Sequence, residues 1–302
     1  MGNIKKMLID RQLTFYEEAI QIASIANKAM LYEVSSYPSP GLVSPVCTGA
    51  HKDMDFFTFI DSSSVIFKHL MIFSQKGFTE NSPKDIFREI REIGIKCEIE
   101  MLEETGGINT HKGMIFLMGI SCAATAKAMY EKKPFKEISC IIKEMVEGVS
   151  ERELVKKEIS SQCSHGEEVY RKYGSKGIRG EVEKGIPIVF DFSLDFYKQN
   201  IKLNNNDRMI KTLIGIMQFC DDSNIIYRHS IEVLHEVQQK SKKILESGKN
   251  DDGIFLEEVD KLNQEFINRK ISPGGSADLL GITVFFYYVE KYMEKKLANK
   301  GM

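Results

Sequence analysis

The sequence lacks the features of a nucleic-acid binder, a membrane protein or a disulfide-rich secreted protein. Its 41 basic residues are balanced by 43 acidic ones, for a net charge of -2, which argues against a dedicated nucleic-acid partner. The six cysteines stand singly, with no C-x-x-C pair, so reduced thiols in a cytoplasmic protein are expected. No signal peptide opens the chain and no charge-free apolar run reaches about 18 residues, so no membrane span is predicted.

The common signatures of phosphate and metal chemistry are also missing. No P-loop of the form G-x-x-x-x-G-K-[ST] occurs, which excludes an ordinary P-loop nucleotide hydrolase. No histidine is followed directly by aspartate, so the histidine-aspartate phosphohydrolases are excluded. Histidine and cysteine never cluster at ligand spacing, which disfavours a zinc site.

The chain does contain a series of long helical patterns. At 302 residues it could form one or two domains, and its hydrophobic content of 42% is ordinary for a globular protein with a core. Apolar residues recur at helical spacing, no repeat has a fixed period, and no linker divides the chain. We therefore predict one all-α domain over residues 1–302, with a polar nucleotide pocket formed by helix N-termini and glycine-rich loops.

The loop over residues 39–55 is the first of three glycine-bearing loops that each precede an apolar helix. Its prolines and glycines prevent a helix at first, and Thr48 is predicted to cap a helix over about residues 50–73. Two cations and two carboxylates would then crowd this helix end: His51, Lys52, Asp53 and Asp55. Orphan backbone N–H groups at such an end favour an anion. Taken alone, the segment fits a capped surface turn better, but the pattern recurs twice.

The second loop, residues 109–113, again places a His-Lys pair at the start of a buried-looking helix, with Asn109 or Thr110 as its cap. In the third, residues 272–278, Ser276 is predicted to cap the last helix, from Leu279 to about Leu297. The glycine pair before Ser276 would let backbone N–H groups turn towards a phosphate. Three such loops favour one polar pocket walled by helix N-termini.

The candidate pocket residues combine phosphate-binding and metal-binding types. Arg179 to Pro187 is predicted to be a compact charged turn, either a solvated loop or a segment that faces a charged substrate. Cations bind phosphate, whereas carboxylates beside phosphate hold Mg²⁺ or act as a general base. These residue types predict a Mg-nucleotide site without saying which bond breaks.

Several segments resemble one family. They are Pro40–Val43, Gly49–Met54, Gly106–Gly113, Arg179–Glu181, Asp222–Asn224 with Arg228, and Ser272–Leu280. In this order they resemble the triphosphoribosyl-dephospho-CoA synthase family, which serves citrate lyase and, in related members, malonate decarboxylase. Glu98 also lies where the family carries a glutamate. One departure is that Ser39 and Ser44-Pro45 stand where many members have Lys and Asp-Arg, which removes charged side chains from the loop.

The resemblance implies that the 2′-hydroxyl of 3′-dephospho-CoA attacks the anomeric carbon of the ATP ribose. Adenine leaves and the triphosphate stays on the product, the prosthetic-group precursor of citrate lyase acyl carrier protein. The implied substrates are ATP and 3′-dephospho-CoA, and the implied cofactor is Mg²⁺. A downstream holo-acyl-carrier-protein synthase is a possible partner; neither nucleic acid nor a membrane is expected.

The resemblance and the pocket chemistry together suggest residue roles. The catalytic candidates are Asp53, Glu98 and Glu181, and the metal-binding candidates are Asp222 and Asp278. The nucleotide-binding candidates are Gly41, His51, Lys52, Asn109, Thr110, His111, Lys112, Arg179, Gly180, Arg228, Gly274, Gly275 and Ser276.

Three alternatives remain open from the sequence. A Mg-dependent nucleotide hydrolase could use the same pocket, and a non-catalytic nucleotide-binding partner of the lyase assembly would bind ATP without turnover. The same transfer could also serve malonate decarboxylase. Carboxylates are costly beside phosphate unless a metal or the chemistry uses them, which argues against the binder.

Overall fold

The computed structural model describes residues 2–152, 165–248 and 251–300, which form thirteen α-helices. In chain order these are α1 (Gly2–Val34), α2 (Phe56–Gly77), α3 (Pro83–Glu104), α4 (Lys112–Tyr130), α5 (Ile138–Val146), α6 (His165–Tyr173), α7 (Gly177–Glu183), α8 (Leu194–Gln199), α9 (Asn205–Met217), α10 (Ser223–Arg228), α11 (Ile231–Ser247), α12 (Asp252–Arg269) and α13 (Gly274–Lys300). No β-strand forms within these ranges, where Ser44 and Cys47 make an isolated antiparallel bridge. The all-α prediction is confirmed.

Helices α4 and α13 lie at the centre of the hydrophobic core. Helix α4 is buried around its whole circumference from Met114 to Ala128, because apolar and small residues occupy every face. It packs against α1, α2, α3, α5 and α13. One cluster of buried apolar side chains extends from Ile22 in α1 to Met293 in α13. The prediction of a single domain over residues 1–302 is consistent with this cluster and stays a prediction.

Glycines allow α2 and α4 to approach closely. A methyl group on Gly77 of α2 would clash with the Ala123 carbonyl of α4, and Gly119 of α4 faces the Phe73 ring of α2. Such close contact holds the N-terminus of α4 in a defined place beside α2 and α3. That N-terminus lines the candidate site described below.

Two helices, α2 and α4, are long and apolar enough to cross a bilayer by length and composition alone. In α4, 78% of the most apolar window is buried inside the protein, as in the core helix of a globular domain. The corresponding share in α2 is 33%, and α2 packs against α1, α3 and α4. The expected absence of a membrane partner stays a prediction.

The predicted start of α2 is wrong. The helix begins at Phe56, and its N-cap is Asp55 rather than Thr48. The Asp55 carboxylate accepts the Thr58 N–H at 3.0 Å, and the Thr58 hydroxyl accepts the Asp55 N–H at 3.2 Å. This reciprocal capping box stabilises the later start. His51, Lys52 and Asp53 therefore lie in the preceding loop instead of the first helical turn.

Two further predictions are corrected. Helix α7 occupies most of the segment predicted as a charged turn, so Arg179, Gly180 and Glu181 lie on a helix. Helix α13 begins at Gly274, and Ser276 lies inside its first turn rather than capping it. The cysteines of the described ranges are free thiols, and Cys163 lies outside those ranges.

Candidate active site

A pocket of about 320 Å³ opens between α3, α4, α6 and α7, and we call it the central pocket. Its walls are largely apolar and include Phe87, Phe116 and Ile120. Its charged lining consists of three cations and two carboxylates: Arg91, Lys112, Arg179, Glu98 and Glu167. Apolar walls with a few convergent charged groups are typical of small-molecule sites.

Glu98 and Lys112 form an ion pair at one side of the central pocket. The Lys112 ammonium lies 3.0 Å from Glu98 Oε2. The Lys112 side chain is 54% exposed and the Glu98 side chain is 26% exposed. Lys112 is the first residue of α4, where the helix dipole favours an anionic ligand. Packing of α3 against α4 joins a carboxylate and a cation that are 14 positions apart in the sequence.

The Asn109–Lys112 segment is held by side-chain hydrogen bonds. Asn109 Oδ1 accepts the Lys112 N–H at 3.1 Å. Thr110 donates to Ser62 Oγ at 2.7 Å, and Ser62 lies 2.7 Å from His111 Nδ1. Because Ser62 accepts from Thr110, its own hydrogen is available for Nδ1, which assigns the ring proton of His111 to Nε2.

His111 is a buried neutral histidine. Its residue is 2% exposed, and burial lowers the pKa of its imidazole to about 3. At neutral pH the imidazole is therefore uncharged in this structure, and the predicted role of His111 in phosphate binding stays a prediction. Its Nε2 has no hydrogen-bond partner among the described residues. A buried donor without a partner is a feature that a bound ligand could satisfy.

Arg179 lies on α7 and lines the central pocket. Desolvation lowers the pKa of its guanidinium, while the negative charges of Glu167 and Glu98 act in the opposite direction. A planar guanidinium between carboxylates can bind a phosphate in a bidentate manner. The structure thus places the predicted cation Arg179 and the predicted carboxylate Glu98 around the same volume.

Two carboxyl groups lie near the N-terminus of α4, that of the half-buried Asp278 and that of the buried Glu33. The Asp278 carboxylate lies against Gly113, so closely that a methyl group on this glycine would clash with Oδ2. Burial, and then the nearby charges of Glu33 and Asp222, raise the pKa of Asp278 well above its usual value. Glu33 is 6% exposed, and burial raises its pKa to about 8. Such perturbed carboxyls are frequent at functional sites.

Asp222 holds the N-terminus of α13. Its carboxylate accepts the Ser276 N–H at 2.9 Å, the Ser276 hydroxyl at 3.2 Å and the Asn224 N–H at 3.1 Å. Burial nevertheless raises the pKa of Asp222, although these donors act to lower it. Gly275 packs on the same carboxylate. A protein side chain therefore occupies the helix end where Gly274, Gly275 and Ser276 were predicted to hold phosphate.

The first loop lies against the segment before α13 instead of lining the central pocket. Gly41 donates its N–H to Asn263 Oδ1 at 3.1 Å, and His51 Nε2 lies 2.9 Å from Ser272 Oγ. Burial, followed by the positive charge of Arg228, lowers the pKa of His51. Lys52 is exposed, and the side chain of Asp53 is 64% exposed.

A second cavity, of about 280 Å³, is lined by residues that include Gly180, Glu181 and Gly275. It meets the central pocket at Ile178, which lines both. Burial raises the pKa of Glu181, and the Ile188 N–H, which donates to Glu181 Oε1 at 2.7 Å, opposes this shift. The two predicted catalytic carboxylates Glu98 and Glu181 therefore belong to neighbouring cavities.

Three charged residues of this region were not among the sequence candidates. Arg91 and Glu167 line the central pocket, and Glu33 interacts with Asp278. Glu33 could have been found, because it follows Ala26 and Met30 on the buried stripe of α1 and a carboxylate on such a stripe is unusual. Nothing local distinguishes Arg91 or Glu167 from solvated surface charges.

Comparisons with known proteins agree with these observations. A family model described as ATP:dephospho-CoA triphosphoribosyl transferase matches residues 19–297. A protein of Streptococcus pyogenes serotype M49, named probable 2-(5''-triphosphoribosyl)-3'-dephosphocoenzyme-A synthase, is 32% identical over 287 residues, which are 90% of this chain and 97% of the relative. A protein of the same name from Streptococcus mutans serotype c is 32% identical over 291 residues, or 91% and 98% of the two chains. No solved structure matches the chain.

Proposed function

The chain belongs to the ATP:dephospho-CoA triphosphoribosyl transferase family, and we propose that it joins the triphosphoribosyl group of ATP to the 2′-hydroxyl of 3′-dephospho-CoA. Adenine is released, and the triphosphate stays on the product. The product is the prosthetic-group precursor of citrate lyase acyl carrier protein. The central pocket, where Glu98 and Lys112 meet at the N-terminus of α4, is the observation that carries this proposal.

The shape and charge of the central pocket suit a nucleotide. Its apolar walls, with Phe87 and Phe116 among them, offer a surface for the adenine ring. Lys112 and Arg179 supply positive charge for phosphate oxygens. The N-terminus of α4 adds its dipole to the same side. This arrangement would hold the ribose between the apolar walls and the charged rim.

Glu98 is the carboxylate that we assign to the chemistry. Departure of adenine builds positive charge on the ribose, which a nearby carboxylate stabilises. The attacking 2′-hydroxyl must also lose its proton, and Glu98 can accept it as the C1′–O bond forms and the C1′–N bond breaks. The departing adenine takes up one proton in return, so that it leaves as the neutral base and Glu98 is restored. Lys112, 3.0 Å from Oε2, orients the carboxylate for this role. Asp53 and Glu181 do not line this pocket, which favours Glu98 among the three candidates.

Asp278 and Glu33 are our candidates for the carboxylates of a Mg²⁺ site beside the N-terminus of α4, where Asp278 lies against Gly113, although neither side chain lines the central pocket. No three His, Cys, Asp or Glu side chains in the described ranges converge as a complete metal site. Two carboxyls with substrate phosphates are, however, a usual Mg²⁺ environment, and the metal would neutralise phosphate charge there. Asp222, the other metal candidate, already accepts three donors. Asp278 with Glu33 is therefore our proposed carboxylate pair.

The physiological setting is carried over from the resemblance and stays a prediction. We expect a cytoplasmic location, consistent with the free thiols of the described cysteines. We also expect a holo-acyl-carrier-protein synthase to use the product. Use of the product by malonate decarboxylase is the alternative pathway.

Mass spectrometry of the protein incubated with ATP, Mg²⁺ and 3′-dephospho-CoA tests the reaction. We expect free adenine together with a triphosphoribosylated dephospho-CoA. Adenine or phosphate without this adduct would identify a hydrolase, and binding of ATP without turnover would identify a non-catalytic binder. Either result would overturn the proposal.

The Glu98→Gln variant tests the assignment of the carboxylate. Turnover should fall about 100-fold or more, the usual range for loss of a general base. The matched control is Glu92→Gln, which changes an exposed glutamate of the same helix that lines none of the cavities described above. Equal turnover in the two variants would remove Glu98 from the mechanism.

A further inference from the structure

A third cavity lies beside the central pocket, and we call it the basic groove. Its volume is about 530 Å³, and it shares Phe87 and Arg91 with the central pocket. Phe87 and Met145 are its apolar lining, and Glu147 is its carboxylate. Its cations are Lys84, Arg88, Arg91 and Arg152. The two cavities therefore adjoin at Phe87 and Arg91, and the basic groove carries four cations against one carboxylate.

Two cations of the basic groove, Lys84 and Arg88, form ion pairs at the protein surface. Lys84 lies 2.6 Å from Glu147, and Arg88 lies 2.8 Å from Asp85. The Lys84 and Arg88 side chains are 58% and 77% exposed, so these ion pairs are weak and exchange readily with another anion. Desolvation and then the positive charge of Arg179 lower the pKa of Arg91, the negative charge of Glu98 opposes this shift, and the positive charge of Arg152 adds to it. Like charges thus crowd the junction with the central pocket.

The position of these cations on α3 is also unfavourable without an anion. Lys84 and Arg88 lie in the first two turns of a helix that begins at Pro83. The positive end of the helix dipole lies there, so cations are disfavoured and anions favoured. Lys84, Arg88 and Arg91 follow i, i+4, i+7 spacing, which places them on one face of α3. A bound anion would offset both the repulsion among these cations and their unfavourable interaction with the helix dipole.

The proposed reaction requires more space for phosphate than the central pocket provides. Its 320 Å³ volume lies at the lower end of the range for a single small-molecule ligand. The reaction brings together two nucleotides, one with a triphosphate and one with a diphosphate. One of these phosphate chains must extend beyond the pocket that holds the reacting ribose.

We propose that the basic groove binds the polyphosphate chain of one of the two nucleotide substrates and so positions its ribose in the central pocket. This inference rests on the proposed function for the identity of the ligand. The shared walls at Phe87 and Arg91 place the groove directly beside the central pocket, which favours a substrate over an acidic protein or a nucleic acid. Guanidinium groups are suited to phosphate oxygens because they donate in a planar fork.

Calorimetric titration with inorganic tripolyphosphate and with pyrophosphate tests the groove directly, without turnover. Arg88→Ala and Lys84→Ala should each weaken the binding of one or both probes about tenfold, the loss expected for one charge-assisted contact. The matched control is Lys96→Ala, which removes a lysine of the same helix that is 72% exposed and does not line the groove. Thermal unfolding of each variant identifies any loss of folding, and Arg88→Lys should keep part of the affinity.

Steady-state kinetics distinguish the two possible ligands. A higher KM for ATP alone in Arg88→Ala would place the triphosphate in the groove, and a higher KM for 3′-dephospho-CoA alone would place the diphosphate there. In both cases kcat should change little. Probe binding equal to wild type in the folded groove variants, or weaker probe binding with both KM values unchanged, would overturn the inference. Absence of the adduct with wild-type protein would instead refute the proposed function.

Discussion

At the scale of single residues, two glycines of the central pocket differ in the space available for a side chain. A methyl group on Gly113 would clash with the Asp278 carboxylate, whereas one on Gly94 would have no described atom within 4 Å. Both glycines line the same pocket from neighbouring helices. Gly113 therefore serves close approach of a carboxyl group to α4, while Gly94 only lowers the helical propensity of α3.

Gly113→Ala is expected to lower the free energy of unfolding by about 1–3 kcal/mol, because the added methyl group overpacks the site. Adenine release should fall as well, since Asp278 must move. Gly94→Ala should instead raise the free energy of unfolding by about 0.5–1 kcal/mol, as for an interior helical glycine. Urea unfolding of both variants measures the contrast, and shifts of the same sign would contradict it.

At the scale of helices, the protein satisfies most candidate anion sites with its own side chains. Asp55 caps α2, Ser82 caps α3 and Asn204 caps α9. Asp222 caps α10 and also accepts donors from the first turn of α13. At α4, the N-cap residue His111 makes no side-chain capping bond, and Asn109 accepts the N–H of Lys112. We propose this helix end for substrate phosphate because it lines the central pocket.

Asp222→Ala should destabilise the protein more than removal of an exposed cap. The loss is expected to be about 2 kcal/mol or more, because buried N–H donors of two helices would lose their acceptor. Asp55→Ala, at a solvent-exposed capping box, should cost about 1 kcal/mol. Chemical unfolding at pH 7 compares the two variants. Equal losses of unfolding free energy in the two variants would show that the buried Asp222 contacts stabilise the protein no more than an exposed cap does.

At the scale of the whole molecule, one apolar cluster joins helices from both ends of the chain. It includes Ile22 of α1, Met118 of α4 and Phe285 of α13. The central pocket also combines distant segments, since Glu98, Lys112 and Arg179 belong to α3, α4 and α7. Formation of the site is therefore coupled to formation of the core.

Urea unfolding is expected to be a single cooperative transition, because no part of this cluster can separate without exposing apolar surface. The chain has no tryptophan but has 11 tyrosines, so near-ultraviolet circular dichroism can report tertiary structure. Its transition should coincide with the far-ultraviolet transition of the helices. Two separated midpoints would indicate more than one folding unit.

The helix ends show where the local sequence is sufficient to predict the start of a helix and where it is not. Helices α3 and α9 begin directly after Ser82 and Asn204, where local sequence is sufficient because each cap accepts an N–H of its own first turn. Thr48 failed as a cap because Gly49, with φ of 61°, and Ala50, which donates to the Gly41 carbonyl, fold into the loop. The charges of residues 179–187 suggested a turn, but α7 forms through its contacts with α5.

By itself, the sequence determined the all-α class, the family resemblance and the types of residue available to the site. These follow from helical periodicity and from short motifs, which are local properties of the chain. Only the tertiary structure decided that Glu98 meets Lys112, that Asp278 lies against Gly113 and that Asp222 already occupies the start of α13. Contacts between residues far apart in the chain depend on helix packing, and no local pattern contains that information.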